Sequence, residues 1–166
     1  MKEITLAEAA KLTSPQQLVL VCTRKADGTP NMAPVSFFSF ASFREPMVAV
    51  CLGKASCSGE NIRRNGKAVI AVPGAGIAAE VKAFGTVHGD RADKLDRWPI
   101  AMQTDESSDI PFPSECRTAY ITSLVNTVEA GDHLMYLLKV EKSLGDGTVS
   151  PLFAWDGYAR VAPLES

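Results

Sequence analysis

The feature that most constrains this chain is its division into short apolar runs, each closed by a turn signal. Residues 17–23 read QLVLVCT, residues 47–52 MVAVCL and residues 67–72 KAVIAV. β-Branched runs of this length, bounded by Gly, Pro and Asp, are strands rather than helices. Residues 31–40, 117–128, 133–143 and 152–161 continue the pattern, and Asp27-Gly28, Pro73-Gly74, Gly131-Asp132 and Asp146-Gly147 supply the turns. Only brief segments read as helical. Residues 5–12 open with a Thr5/Glu8 capping box, residues 59–65 stop at Gly66, and residues 77–84 and 91–98 follow. Six or more strands with so little helix predict a mainly β fold, a barrel with a few short flanking helices.

The chain has 166 residues, enough for one domain, residues 1–166, whose barrel core runs over about residues 15–161. With 17 basic and 19 acidic residues, the net charge is −2, which excludes a nucleic-acid footprint. No apolar run approaches the ~20 residues that cross a bilayer, and MKEITLAEAAKL lacks the apolar core of a signal peptide. These readings predict a cytoplasmic protein. The four cysteines and two histidines show no zinc-ligand spacing, so no metal is expected.

Residues 27–72 hold the candidate chemistry. Pro34 lies within a strand pattern, so that strand must run along an edge or through a bulge, where backbone groups stay free for a ligand. Ala33, Ser36 and Ser39 are small enough for a flat ring to approach the backbone. Lys54, Ser56, Cys57 and Ser58 then lead into a helix that starts near Gly59, with Ser58 as its cap. A helix N-terminus offers free N–H groups and partial positive charge to an anion. Lys54 adds a full charge, and Arg63 and Arg64 reach either the anion or a partner chain. The ordinary alternative is a serine-capped helix with a solvated basic face. Strand, hydroxyl loop and helix end together point to a phosphate carried by a flat aromatic ring, hence a flavin nucleotide and redox chemistry.

Three further features are open to two readings. His133 begins a strand after Gly131-Asp132, placed to contact a flavin or a nicotinamide or to serve only structurally. Cys57 sits in the loop either as a redox thiol or as packing. The acidic, proline-bearing stretch 104–114 reads as a surface loop or lid.

Taken in order, the segments DGTPNMAPVSFFSFAS, REPMVAVCLGK, ENIRRNGKAVIAV, GDH and PLFAWDGYARV resemble the flavin reductase-like, FMN-binding split-barrel family, flavoredoxins included. The resemblance covers about residues 18–161. It implies a six-stranded split β-barrel, a homodimer, and FMN held near the subunit interface. It also implies electron transfer from NAD(P)H, or through a redox partner, to an acceptor that the sequence does not name. By resemblance Asn31 and the stretch Ala33, Pro34, Val35, Ser36, Phe37 and Ser39 line the isoalloxazine ring. Ser58 and Asn61 match the phosphate-binding segment, and His133 matches the family's G-D-H.

The chain departs from the pattern at Ser56-Cys57, where many members carry Arg-His, so a positive charge is missing that Lys54 is the nearest residue to replace. Three other readings remain: an FMN electron carrier without a nicotinamide site, a relative of the pyridoxamine-phosphate oxidases, and a barrel that has lost its flavin. Against the second, Arg160 is the only basic residue among the last twenty, where a second phosphate would need several.

Overall fold

The computed structural model describes residues 1–164. Helix α1 (Leu6–Leu12) opens on the expected capping box, in which Thr5 Oγ1 accepts from the Glu8 N–H and Glu8 Oε2 accepts from the Thr5 N–H. Strands β1 (Gln16–Gln17), β2 (Val19–Arg24), β3 (Pro30–Val35), β4 (Phe38–Ser42) and β5 (Met47–Gly53) come next. Helix α2 (Cys57–Asn65) and strand β6 (Lys67–Pro73) precede two short helices, α3 (Ala78–Phe84) and α4 (Lys94–Arg97). The rest is strand: β7 (Met102–Gln103), β8 (Phe112–Pro113), β9 (Cys116–Ala130), β10 (His133–Gly145), β11 (Phe153–Trp155) and β12 (Arg160–Ala162).

The principal sheet is antiparallel in the order β3-β2-β6-β9-β10-β5-β4. Its outer strands, β3 and β4, are joined only by Ser36 and Phe37. Laid flat, seven strands would put those edges about 29 Å apart, whereas so short a link reaches at most about 11 Å. The sheet must therefore curl into a barrel, left split between β3 and β4.

This explains the first difference from the sequence reading. Residues 31–40 were expected to form one strand of a six-stranded barrel. They form two strands on opposite edges of a seven-stranded sheet. Pro34 does lie on an edge strand, where its missing N–H costs no ladder bond.

Strands β2 and β6 are apolar throughout because both of their faces are covered. Val19, Val21, Ile70 and Val72 point into the barrel with Val50, Ile62, Tyr136 and Leu138. Leu18, Leu20, Cys22, Val69 and Ala71 point outward, under Val81, Phe84, Ile110 and Phe112. The long hairpin β9–β10 turns at Gly131, whose φ of 63° suits glycine, and two bulges in its register let it coil around the barrel.

Four other expectations are corrected. Helix α2 begins at Cys57 and its cap is Ser56, whose Oγ accepts from the Gly59 N–H; Ser58 lies inside the helix. Residues 91–98 form only the single turn α4. Residues 152–161 form two short strands instead of one, because the chain reverses at Asp156 and Tyr158, both at positive φ. Residues 104–114 are a surface loop only in part: 104–109 are mostly exposed, whereas Ile110 and Phe112 are buried in the core, and Asp109 and Asp105 pair with Lys67 and Lys142.

Candidate functional site

Two adjoining cavities, of about 220 Å³ and 280 Å³, lie along the split and the start of α2. They share Ala33, Pro34 and Ser56 as a common floor. Ligand sites usually span about 300–1,000 Å³, so the two together make one site of ordinary size.

The first cavity is polar. Asn31 and Ser58 form its inner wall, 2% and 1% exposed. Asn31 Nδ2 donates to Ser58 Oγ at 2.9 Å, and Asn31 Oδ1 has no partner. A buried carbonyl without a donor is uncommon and costs free energy, so it marks a place where a ligand group belongs. Ser56 and Cys57 bring the N-terminal turn of α2 to the rim. Burial pushes the Cys57 thiol up, which leaves the sulfur a poor candidate for a reactive thiolate.

Lys94 lines the same cavity, 4% exposed and, among the described residues, without a carboxylate partner. Its Nζ donates to Met32 O and Phe84 O, each at 2.7 Å, which leaves one N–H of the ammonium uncommitted. Burial lowers its pKa to about 8. Residues 85–89 cross over this cavity, and a methyl group added at Gly89 would overlap Asn31 Oδ1 and crowd Cys57 Sγ. His88 pins this loop, with Nε2 3.1 Å from Ala55 O and Nδ1 2.5 Å from Asp90 Oδ1.

The second cavity is flatter and less polar. Val35, Ser36 and Phe37 bound it at the split, Leu52 and Gly53 on β5, and His133 at its mouth. The His133 ring lies 5.5 Å from that of Phe37, and Nδ1 is 2.8 Å from Asp132 Oδ1. His133 holds the Asp132 carboxyl below its usual range, so the carboxylate orients the ring.

The structure thus gathers Asn31, Ala33, Pro34, Val35, Ser36, Phe37, Ser56, Cys57, Ser58 and His133 around the paired cavities. It does not bring three expected residues to the walls. Lys54 turns away to pair with Glu129 at 3.4 Å, both side chains well exposed. Ser39 is exposed on β4 and donates to Phe40 O. Asn61 stands behind the wall, where Nδ2 donates to Thr23 Oγ1 and Oδ1 accepts from Arg64. Lys94 and His88 escaped sequence reasoning. A lone lysine in a polar stretch reads as solvated, and only its unusual burial distinguishes it.

The family described as "Flavin reductase like domain" matches residues 12–162, and the chain belongs to it. Flavoredoxin of Desulfovibrio vulgaris (Miyazaki F) has the same fold, with a TM-score of 0.85 at 21% identity over 100% of this chain and 94% of that one. So does the NADH:FAD oxidoreductase of Streptomyces globisporus C-1027, with a TM-score of 0.83 at 17% identity over 100% and 99%. A curated but uncharacterized protein of Archaeoglobus fulgidus is 24% identical over 108 residues, 65% of this chain and 61% of its own length. Among the described residues no helix is long and apolar enough to cross a membrane.

Proposed function

We propose that the chain binds FMN and, as a cytoplasmic homodimer, passes electrons from NAD(P)H to an acceptor. The observation that carries this reading is that the buried Lys94 and the unpartnered Asn31 Oδ1 line one cavity. The residues fit the cofactor. Lys94, Ser56, Ser58 and the α2 N-terminus suit a phosphate, and Asn31 Oδ1 suits a hydroxyl donor next to it. The groove between Phe37 and Leu52 suits a flat ring, with Ala33 and Pro34 small or rigid enough to let it lie on the backbone. One terminal phosphate matches one anion cradle, which favours FMN over FAD.

When bound, FMN supplies the hydride chemistry. The protein's own part is orientation and charge. The edge of β3 offers backbone groups that no strand completes. Phe37 and His133 wall the open side of the groove, and His133 is placed to hold a nicotinamide donor.

An apolar shelf supports the dimer. Phe40 on edge strand β4 and Phe43 just beyond it are 45% and 83% exposed, and their rings stack. A second copy of the chain would cover this shelf and bring its own residues towards the split.

The test is an absorption spectrum of desalted protein loaded with FMN, repeated anaerobically with NADH or NADPH. Bound flavin that bleaches supports the reductase. Bound flavin that does not bleach identifies an electron carrier without a nicotinamide site. Failure to retain FMN overturns the reading.

A further inference from the structure

His88 makes two contacts that a neutral imidazole cannot make together. Nε2 lies 3.1 Å from Ala55 O, and Nδ1 lies 2.5 Å from Asp90 Oδ1. A carbonyl oxygen only accepts. The Asp90 carboxyl is held below its usual range, first by the hydrogen bond from His88, so it is ionised and also only accepts. Neutral imidazole has one N–H, whereas imidazolium has two. The geometry therefore calls for the protonated ring.

The contacts also join separate elements. Ala55 lies in the turn between β5 and α2, while His88 and Asp90 lie in the loop between α3 and α4. That loop crosses the polar cavity, and its Gly89 packs on Asn31 and Cys57. The other end of the loop is tied down by Lys94 through Phe84 O. His88 is thus the second of two fasteners on this loop.

We propose that protonated His88 is a latch that closes residues 85–90 on Ala55 and adds a cation at the mouth of the cradle, so that binding of a phosphate-bearing ligand is proton-linked. The proposal rests on the reading of this cavity as a phosphate site. His88 is a positioning residue here, acting through the loop and through its charge.

Other charges surround it. Asp90 and Arg91 share its loop, Lys54 precedes Ala55 but is turned to Glu129, and Glu60 stands in the first turn of α2. Lys94 and Lys25 act on the same cavity together with the Cys57 thiol. The phosphate itself also titrates. Comparison of variants with wild type at each pH cancels these shared contributions.

The experiment measures FMN dissociation constants for wild type, His88→Gln and His88→Arg at about pH 5.5 and about pH 8.5, on either side of the histidine range. The latch predicts that His88→Gln weakens binding about fivefold or more at the acid pH and little at the alkaline pH. His88→Arg should restore tight binding at both. In parallel, amide exchange of residues 86–91 in flavin-free protein should be faster in His88→Gln than in wild type at the acid pH only. Equal FMN affinities and equal exchange for His88→Gln and wild type at both pH values overturn the latch. Acid-specific loop exchange in a protein that binds no FMN supports the latch and overturns the cofactor reading instead.

Discussion

Asn31 Nδ2 donates to Ser58 Oγ across 2.9 Å and so locks edge strand β3 to the first turn of α2. The bond leaves Asn31 Oδ1 buried beside Gly89 and, among the described residues, with no donor of its own. Asn31→Ala should therefore weaken FMN binding by about tenfold, the scale of one hydrogen bond to a charged or hydroxyl ligand. Fluorescence titration of FMN reads this directly. An unchanged dissociation constant would mean that the amide is wall only.

Lys94 links stability to pH. Its pKa in the folded protein is lowered to about 8 by burial, against about 10.4 when unfolded. Between those values the unfolded chain holds a proton that the folded protein has released. Flavin-free wild type should then gain stability relative to Lys94→Met as pH rises from about 8 to about 10. Urea unfolding of both proteins across that window gives the difference, and a flat difference would show that the ammonium does not titrate there. The same variant should bind FMN about tenfold or more weakly at neutral pH, because it lacks the buried cation.

Gly89 is needed for close approach. A methyl group there meets the side chains of Asn31 and Cys57. Gly89→Ala should cost about 1–3 kcal/mol and lift the loop off the cradle. Lower melting temperature together with weaker FMN binding is the expected pair of results, and normal values for both would show that the loop yields freely.

His133 acts on the other cavity. Removing its ring leaves the first cavity intact, since among the described residues the two cavities share only Ala33, Pro34 and Ser56. His133→Ala should lower NAD(P)H-driven turnover about tenfold while the FMN dissociation constant changes less than about threefold. Stopped-flow reduction alongside FMN titration separates the two quantities.

The apolar shelf predicts an assembly. Phe43 is 83% exposed and stacks on Phe40, with ring centroids 5.6 Å apart. Phe43→Glu should convert a dimer into a monomer by light scattering after gel filtration. A wild-type monomer would remove the shelf as an interface between copies.

Much of this was legible in the residues. Turn dipeptides and β-branched runs located most strands, and a Pro at position 34 announced an edge. Residues 33–37 and the hydroxyl loop line the two cavities, and their small and hydroxyl side chains are what singled them out in the sequence. Errors came where two local signals looked alike. Ser56 and Ser58 are both plausible caps, and only the helix start at Cys57 separates them. Lys54 carries the right charge near the right loop, but the end of β9 offers it Glu129 and draws it away.

Local chemistry by itself located most strands and helices, though not the breaks within 31–40 and 152–161, because propensity, capping and turn geometry act over a few residues. It singled out residues 31–58 as candidate site residues for the same reason. Only the tertiary structure decided that β3 and β4 would stand on opposite edges, since that follows from closing a seven-stranded sheet over a two-residue link. Only packing decided the cation of the cradle. Lys94 lies in a polar turn 36 residues beyond Ser58, and what makes it special is burial against two carbonyl oxygens from elsewhere in the chain. Burial and electrostatic environment depend on every element that packs around a side chain, so no local reading of its neighbours in sequence can supply them.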